Sequence, residues 1–485
     1  KKKFFPPAII VGLIILILGI IGISSLIRKY TPTKETEDLN KYFNISSEDE
    51  SALIVDNTVS DSKAKLIDGK IYVDYNFVHD SLNSRFYWDA NENVLLYTTA
   101  ADIVSAAADS STYTVTKQAN DFGYPIVKAT SSSALIALDY VKQFSNITYK
   151  SYDKPSRTVI TTSWGKIETA SAAKSTQLRV KGGIKSPILK QVKKGESLTI
   201  LEKGTKWDKA ASKDGIVGYI KASTLSDIKT TELKNDDYTE EAFTHIKKDK
   251  DICLAWHQIT NKSSNSKVAN VISSTKGVNV MSPTWFYLND NNGGLADLAS
   301  KDYVNYCHSQ GIEVWGLFSN LENKNVDAAS VLTHTSTRTT LINQIMSAAF
   351  NYELDGVNID FENITKEAYG DSYIEFIREL AIKCHNNGIS LSVDVTVPAS
   401  YNKFFNRADM ANFADYVIIM GYDEHYNGSD AGSVASLPWV TTGLNDTLKE
   451  VPADQVILGM PLYTRIWELT PKDADNPVTD TADQS

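Results

Sequence analysis

The sequence predicts an α/β protein whose largest domain, residues 251–485, is a TIM (β/α)8 barrel that is truncated before its eighth strand. Seven short apolar runs alternate there with helical stretches, and this alternation is typical of parallel βαβ units. The alternative is an open doubly wound sheet, which usually has a glycine-rich phosphate turn after its first strand. No such turn follows the first run, "DICLAW", so the barrel is favoured.

The N-terminus predicts a membrane segment. Residues 8–27 are predominantly apolar and long enough to cross a bilayer as one helix. The alternative, a cleaved signal peptide, would have a shorter apolar region that ends in a small-residue cleavage site. Lysines at the first positions assign residues 1–7 to a cytoplasmic tail. We therefore expect a single-pass cell-membrane protein whose other domains lie outside the cytoplasm.

Two smaller domains are predicted between the membrane segment and the barrel, joined by polar linkers at residues 28–50 and 229–250. Residues 51–165 contain two copies of a pattern of strand, helical turn and hairpin, which suggests a duplicated α+β stalk domain. This region loosely resembles the N-terminal domain of copper amine oxidases, and it carries no catalytic residues. Residues 174–228, with Trp207 and a closing "GYI", resemble a bacterial Src-homology-3-like small β-barrel. Such a barrel is either a spacer or a wall-binding module.

The composition argues against several classes of function. Acidic residues outnumber basic ones by 59 to 49, giving a net charge of −10, and no basic run with interleaved aromatics follows the chain, so a nucleic-acid partner is not expected. Cys253, Cys307 and Cys384 are far apart in apolar surroundings and are predicted to be three buried thiols. The histidines are scattered, so no metal site and no cofactor are predicted.

The run "DGVNIDFEN", residues 355–363, is the candidate catalytic strand. Side chains alternate between the two faces of a strand, so its apolar residues would face the helices. Asn358, Asp360 and Glu362 would then face the barrel interior. Glu362 comes last and would lie at the C-terminal mouth, where barrel enzymes carry out their chemistry.

Two carboxyl groups this close in a partly desolvated mouth do not both ionise easily. We expect Asp360 and Glu362 to titrate as a coupled pair, with one proton held to higher pH. A carboxylic acid that stays protonated near neutral pH can protonate the leaving oxygen of a glycoside. The alternative is a structural row of ion-paired side chains that fills an inner layer of the barrel.

"DGVNIDFE" resembles the DGxDxDxE signature of glycoside hydrolase family 18, the chitinase-like barrels. Asp355, Asp360 and Glu362 match its first Asp, third acid and terminal Glu, whereas Asn358 replaces the second acid. "MGYD", Met420–Asp423, matches the sixth-strand motif, and "GMPLYTRIW" matches the seventh-strand segment. The segments "MSPTWFYL" and "VWGLFSN" place the resemblance closest to the bacterial spore and cell-wall branch.

The resemblance implies hydrolysis with retention, in which the substrate's own acetamide oxygen attacks the anomeric carbon. Glu362 would be the general acid and then the base that activates water. Asp360 would hold the acetamide N–H and stabilise the oxazolinium, and Tyr422 would donate its hydroxyl to the acetamide carbonyl. Asp355, Asn358, Met420 and Asp423 would support the site. Because Asn358 removes a charge beneath Asp360, we expect Asp360 to stay ionised.

Sugar-binding residues are predicted among aromatic side chains near the strand ends, because rings pack against the C–H faces of sugars. The candidates are Trp285, Phe286, Trp315, Trp439, Tyr463 and Trp467. Arg465 would pair with Asp423 or with a sugar oxygen. The family's Trp on the eighth strand would lie beyond residue 485.

The leading hypothesis is a membrane-anchored, extracytoplasmic glycosidase that cleaves β-1,4 linkages next to N-acetylglucosamine in peptidoglycan. Chitin or a glycoprotein glycan is the alternative substrate. A non-catalytic glycan-binding protein of the same fold is a second class of function, although the presence of Glu362 and Tyr422 argues against it. A purely structural envelope protein is the third.

Overall fold

The chain forms two compact units, as seen in a computed structural model. Unit 1 consists of residues 1–83 and 135–240, and unit 2 consists of residues 84–134 and 241–485. The structure describes residues 7–226, 228–362, 364, 367–468 and 479–484.

Helices make up a minor part of unit 1 and a large part of unit 2. Within the described residues the α-helices are α1 Pro7–Tyr30, α2 Leu39–Tyr42, α3 Tyr75–Ser81, α4 Leu138–Gln143, α5 Val268–Ser274, α6 Lys301–Ser309, α7 Ala328–Thr333, α8 Thr335–Tyr352, α9 Glu367–His385, α10 Arg407–Phe413 and α11 Leu437–Thr447. Short 3₁₀ helices occur at Ala222–Thr224, Lys262–Lys267, Ser400–Phe405 and Ala453–Gln455.

Strands occur in both units. Before the barrel they are β1 Glu50–Val55, β2 Thr58–Ile67, β3 Lys70–Asp74, β4 Phe86–Asp89, β5 Val94–Thr98, β6 Ile103–Ala107, β7 Thr112–Val115, β8 Gln118–Asp121, β9 Val127–Ala129, β10 Ala134–Ala137, β11 Thr148–Tyr152, β12 Arg157–Thr161, β13 Gly165–Ser171, β14 Thr176–Arg179, β15 Ile188–Val192, β16 Ser197–Glu202, β17 Trp207–Ser212, β18 Val217–Lys221 and β19 Lys229–Leu233. From the barrel onward they are β20 Leu254–His257, β21 Val280–Pro283, β22 Phe286–Leu288, β23 Leu295–Asp297, β24 Glu313–Ser319, β25 Gly356–Asp360, β26 Ser390–Thr396, β27 Tyr416–Met420, β28 Val456–Gly459, β29 Thr464–Glu468 and β30 Thr479–Gln484.

Helix α1 contains the predicted membrane segment. From Ile9 to Tyr30 it is long and apolar enough to cross a membrane, and none of its hydrophobic window is buried in the protein. A signal sequence near an N-terminus has the same properties. The single-pass topology and the cytoplasmic tail therefore stay predictions.

Unit 1 contains two sheets that share one core. One sheet follows the order β15-β14-β18-β17-β16-β13-β19 and is antiparallel, and the other contains β11-β12-β1-β2-β3-β10. Ala52 and Ile54 of β1 pack in the same buried cluster as Leu178 and Leu198 of the first sheet. The first sheet contains the predicted small barrel of residues 174–228, whose family resemblance stays a prediction.

The structure divides the predicted stalk domain of residues 51–165 between the two units. Strands β4 to β8 form a separate antiparallel sheet, and residues 84–134 belong to the same compact unit as the barrel. The predicted boundaries placed this sheet with the stalk because its hairpin follows α3 directly in the chain. Its resemblance to the copper amine oxidase domain stays a prediction.

Unit 2 is built on seven parallel strands in the order β20-β21-β24-β25-β26-β27-β28. Each of the seven runs predicted as a barrel strand overlaps one of them. Their order follows the chain without reversal, which is the order of a barrel and not of a doubly wound sheet. Val357, Ile359 and Phe361 pack with residues of α8 and α9 in the main hydrophobic cluster, so the core lies between the sheet and its helices.

The antiparallel sheet β4 to β8 packs against helices of the barrel through polar contacts. The Thr98 hydroxyl donates a hydrogen bond to Glu375 of α9 at 2.7 Å. The hydroxyls of Tyr87 and Ser372 lie 2.9 Å apart. Asp89 accepts a 2.6 Å hydrogen bond from the backbone N–H of Thr335, the first residue of α8, and so satisfies a donor that a helix start leaves free.

Buried ion pairs lie beside this contact. Arg378 on α9 pairs with Glu375 at 2.9 Å and with Asp409 of α10. Arg338 on α8 pairs with Glu379 of α9 at 2.9 Å. Removing one partner of such a pair leaves an uncompensated buried charge, which is strongly destabilising. The pairs therefore link three of the barrel's helices.

Two of the three cysteines are buried as predicted, and the third is not. Cys307 and Cys384 are buried, whereas Cys253 is exposed. Burial raises the pKa of the Cys307 thiol to about 12, so this thiol stays protonated and inert at neutral pH. The prediction for Cys253 was wrong because this residue lies just before β20, outside the strand.

Candidate active site

Strand β25 places its side chains on two faces, as the sequence predicts. Val357 and Ile359 are fully buried in the helix-side core. Asn358 lies on the opposite face, where it contacts Ser282 of β21 and Ser392 of β26. Strand β24 lies between β25 and β21, so Asn358 can reach Ser282 only on the concave face of the curved sheet. The polar row therefore faces the barrel interior.

The backbone of Glu362 is held by one side chain at the C-terminal end of β24. Asn320 accepts a 2.8 Å hydrogen bond from the Glu362 N–H and donates a 2.7 Å bond to the Glu362 carbonyl. Both amide atoms of Asn320 thus bind the same residue, two positions beyond the end of β25. This contact sets where the Glu362 side chain leaves the strand.

The Glu362 carboxyl has a raised pKa. Burial is the main cause, and the charges of Asp423 and Glu322 add to it. Glu322 lies in the loop after β24 and accepts a 2.6 Å hydrogen bond from Ser319. A raised pKa keeps Glu362 protonated to higher pH, as a general acid requires.

Asp360 is more strongly perturbed than Glu362. Burial and the charges of Glu362 and Glu322 raise the pKa of Asp360 to about 7. Among the described residues, no hydrogen-bond partner lies within reach of its buried Oδ1 atom. An unsatisfied buried carboxyl oxygen is costly, and it marks a position where a ligand's N–H donor would be stabilised.

Asn358 contacts a carboxyl group on the neighbouring strand. Asp394 of β26 accepts a 2.8 Å hydrogen bond from the Asn358 amide, so a carboxyl group remains next to Asp360. Burial and the charge of Asp360 raise the pKa of Asp394 well above its usual value. The expectation that Asp360 stays ionised therefore remains a prediction.

Three aromatic side chains form one wall of the mouth. The Tyr422 ring lies edge-on to Trp256 of β20, with centroids 6.3 Å apart, and edge-on to Tyr463 at 6.2 Å. Burial is the main cause that raises the Tyr422 pKa, and nearby carboxyls add to it. Its hydroxyl therefore stays protonated at any physiological pH and is available as a hydrogen-bond donor.

Asp423 connects the sixth-strand and seventh-strand segments. It adopts a left-handed backbone conformation with φ 63°. Its Oδ1 accepts a 2.6 Å hydrogen bond from the Tyr463 hydroxyl and forms an ion pair with Arg465 at 2.9 Å. The predicted pairing of Arg465 with Asp423 is present. Trp467 donates its indole N–H to the Gly432 carbonyl at 2.8 Å.

Asp355, the first residue of the signature, lies at the other end of β25. Its Oδ2 accepts 2.8 Å hydrogen bonds from the Val314 N–H and from His308. It ties β25 to β24 at the N-terminal end, away from the mouth. The next residue is Gly356, where a Cβ atom would lie 2.6 Å from the Trp315 ring. These two signature residues are therefore structural.

Two of the predicted sugar platforms are wrong. Trp285 and Trp315 are each 0% exposed, so neither can present a ring face to a sugar. Trp315 packs against Tyr416 at the N-terminal end of the sheet, and Trp285 packs edge-on to Tyr303. Phe286, a lesser candidate, is also buried. Trp439, Tyr463 and Trp467 are half-buried, so their platform roles stay predictions.

A cavity of about 250 Å³ lies beside Glu362. Glu362, Asp394 and Met420 line one side of it, and aromatic residues of the Ser400–Phe405 turn line the other. Tyr401 in this turn is 78% exposed. The predicted supporting residue Met420 therefore lies at the cavity wall.

Sequence reasoning missed four residues of the site. They are Trp256, Asn320, Glu322 and Asp394. Asn320 ends the run "VWGLFSN" at the C-terminal end of a strand, which is the one signal that was available. The other three make contacts across strands that no spacing along the chain reveals. Among the described residues no group of three His, Cys, Asp or Glu side chains is placed to hold a metal ion.

One protein-family model matches the second part of the barrel domain. Residues 307–485 match the model of glycosyl hydrolases family 18. The matched part includes Asp360, Glu362 and Tyr422. The resemblance predicted from the sequence covers residues 251–485, so the match confirms it in part.

Two curated relatives are glycosylases or lytic enzymes. The chain is 27% identical over 191 residues to the uncharacterized glycosylase YvbX of Bacillus subtilis (strain 168), which covers 37% of this chain and 55% of that protein. It is 24% identical over 187 residues to the cortical fragment-lytic enzyme of the same organism, which covers 37% of this chain and 43% of that protein. The chain thus spans about half the length of the curated relatives it matches.

Solved structures that align with part of this chain include two further enzymes. The Bacillus cereus spore cortex-lytic enzyme SleL aligns with a TM-score of 0.41 and 20% identity, covering 47% of this chain and 54% of that chain. A chitinase from Chromobacterium violaceum ATCC 12472 aligns with a TM-score of 0.40 and 22% identity, covering 44% and 69%.

Proposed function

We propose that this protein is a membrane-anchored, extracytoplasmic glycosidase that cleaves β-1,4 linkages next to N-acetylglucosamine in peptidoglycan. The reaction retains the anomeric configuration and uses the substrate's acetamide as the nucleophile. The observation that carries the proposal is the pair at the end of β25, where Glu362 has a raised pKa and Asp360 has a buried oxygen with no hydrogen-bond partner among the described residues.

Glu362 acts as the general acid. Its proton goes to the glycosidic oxygen while the bond to the anomeric carbon breaks, and its carboxylate then takes a proton from the water that opens the intermediate. The raised pKa supports the first step, because the group is protonated to higher pH before the reaction. The two bonds from Asn320 support both steps, because they hold the residue in one place.

Asp360 and Tyr422 position the acetamide. The N–H of the acetamide donates to the Oδ1 atom of Asp360, and the Tyr422 hydroxyl donates to the acetamide carbonyl. The carbonyl oxygen then attacks the anomeric carbon and forms a cyclic oxazolinium, whose positive charge the Asp360 carboxylate stabilises. The unpartnered Oδ1 and the raised pKa of Tyr422 support these assignments.

The placement of both acids on one strand favours the acetamide as nucleophile. A protein nucleophile requires two carboxyl groups about 5 Å apart on opposite sides of the scissile bond. Asp360 and Glu362 follow each other on the interior side of β25 and its extension. An acetamide nucleophile needs no second carboxyl across the bond.

Peptidoglycan is proposed as the substrate because of the relatives and the N-terminal helix. One relative is a cortical fragment-lytic enzyme of Bacillus subtilis. An apolar helix at the N-terminus would hold the enzyme at the outer face of the membrane, next to the wall. Chitin oligosaccharides and glycoprotein glycans contain the same N-acetylated sugar and are tested alongside.

The test incubates the detergent-solubilised chain with purified peptidoglycan and, separately, with chitin oligosaccharides and with a glycoprotein that carries N-acetylglucosamine. We expect new N-acetylglucosamine reducing ends from peptidoglycan, formed first as the β-anomer in NMR spectra. Glu362→Gln is expected to abolish their release. Glu450→Gln, the same chemical change at an exposed position, is the matched control and keeps the activity.

Each other outcome contradicts part of the proposal. Release from chitin alone would identify a chitinase. Binding of peptidoglycan without release would identify a glycan-binding protein. A first product in the α-configuration would refute the retaining mechanism, and the absence of both binding and release would indicate a structural envelope protein.

A further inference from the structure

The Asn358 side chain has one possible orientation. Its Oδ1 accepts 3.0 Å hydrogen bonds from the Trp256 indole N–H and the Ser282 hydroxyl. Its amide nitrogen donates to Ser392 at 3.1 Å and to Asp394 at 2.8 Å. An indole N–H can only donate, so Oδ1 must face Trp256 and the amide nitrogen must face Asp394. Asn358 therefore presents a donor, and not an acceptor, to Asp394.

Asp394 lies beside Asp360 in the sheet. The parallel register pairs Asn358 with Ser392 and Ile359 with Val393, so the next residues of the two strands, Asp360 and Asp394, stand at adjacent positions. Asp360 follows Asn358 by two residues and Asp394 follows Ser392 by two residues, so both side chains lie on the same interior face as Asn358 and Ser392. Neighbouring strands are about 4.8 Å apart, which brings the two carboxyl groups within reach of each other.

The surroundings keep Asp394 neutral. It is 2% exposed, and the titratable groups that face it are Asp360 and Glu362 from β25, Tyr422 after β27 and Tyr373 from α9. Each of these groups is neutral or negative, so their charges disfavour a second carboxylate. A neutral carboxyl has an O–H donor, and Asp360 is the acidic acceptor at the neighbouring position.

We propose that Asp394 is a positioning residue of this site, which stays a carboxylic acid and donates its O–H to Asp360. This inference rests on the proposed function. The hydrogen bond fixes Asp360 as a carboxylate with Oδ1 free for the acetamide N–H. No proton is transferred in this contact, because Asp394 holds the same proton before and after the reaction. The donor that acts on Asp360 thus comes from the neighbouring strand and not from residue 358.

The test compares two variants at position 394. Asp394→Asn is neutral and keeps a donor, whereas Asp394→Leu has a similar size and no donor. We expect Asp394→Asn to keep kcat within about threefold of the unmodified chain and to keep its pH profile. Asp394→Leu is expected to lower kcat by at least about tenfold, with KM changed by less than about threefold, and to change the pH profile. Ser392→Ala is the matched control, because Ser392 also bonds Asn358 from β26.

A second readout does not require activity. The pKa of the Asp360 carboxyl is measured by ¹³C NMR in the full chain, and a lost donor to a carboxylate raises that pKa. We expect the pKa to rise in Asp394→Leu and to stay in Asp394→Asn. If Asp394→Leu does not fold, Asp394→Ala replaces it.

The outcomes separate this inference from the proposed function. An unmodified chain without any glycan hydrolysis refutes the proposed function, while the NMR titration still tests the contact. Equal Asp360 pKa values in the chain and in the Leu or Ala variant would refute the contact. If Asp394→Asn shows the same loss of kcat as Asp394→Leu, the activity requires an ionised Asp394 and not a hydrogen-bond donor at this position. That result would overturn the proposal.

Discussion

Replacing Asn320 by Ala tests how the candidate acid is held. Asn320 makes two hydrogen bonds to the backbone of Glu362, at 2.8 and 2.7 Å. Each bond of this kind contributes about 0.5–1.5 kcal/mol, so their combined loss would cost about 1–3 kcal/mol of stability. Because Glu362 lies beyond the end of β25, the larger consequence is a displaced carboxyl. A shift of about 1 Å can cost about a hundredfold in rate.

We therefore expect Asn320→Ala to lower kcat on peptidoglycan by about 10- to 100-fold with a small change in KM. Urea unfolding measures the stability loss on the same sample. Asn323→Ala is the matched control, because its amide bonds to Asn289 in a neighbouring loop and not to the acid. A kcat for Asn320→Ala within twofold of the control would show that the strand alone positions Glu362, and the reasoning would be refuted.

Three further changes have expected outcomes. In Gly459→Ala the new Cβ would lie 2.9 Å from the Ile419 carbonyl oxygen and 3.0 Å from the Trp256 ring, and thermal unfolding should show a loss of about 1–3 kcal/mol, whereas no change would show that both neighbours move away freely. Arg378→Met leaves two buried carboxylates without their cation and should cost about 3–5 kcal/mol in urea unfolding; a cost below about 1 kcal/mol would refute the ion-pair argument. Glu322→Gln removes a charge that raises the pKa of Asp360 and of Glu362. Both limbs of the pH profile of kcat/KM should therefore move to lower pH, and a shift to higher pH would contradict the assignment.

The barrel strands were predictable because each is a short apolar run with its own local pattern. The alternation in β25 likewise predicted that Asn358 and Asp360 face the interior, and their contacts confirm it. The charge of Glu362 adds to the raised pKa of Asp360, as two acids close together on one strand predict. These features depend on residues that are near each other in the chain.

The positions of the aromatic residues were not predictable in the same way. Trp315 and Trp285 lie near strand ends in the sequence, but only the packing shows that each ring is enclosed. Trp315 lies over Gly356, which is 41 residues away in numbering, and a periodic pattern contains no information on such a contact. The predicted stalk domain included residues 84–134 because they follow α3 in the chain, whereas their grouping with the barrel depends on contacts between distant parts of the chain.

The sequence by itself determined the strand order, the face of each residue on β25 and the acid at its end, because strand periodicity acts over neighbouring residues. Only the tertiary structure decided which groups surround that acid. Asn320 reaches Glu362 across 42 residues, and Asp394 reaches Asn358 across 36. Desolvation and charge coupling depend on distance in space, so the pKa of Asp360 depends on its burial in the barrel and on Glu322 as well as on Glu362 two residues away.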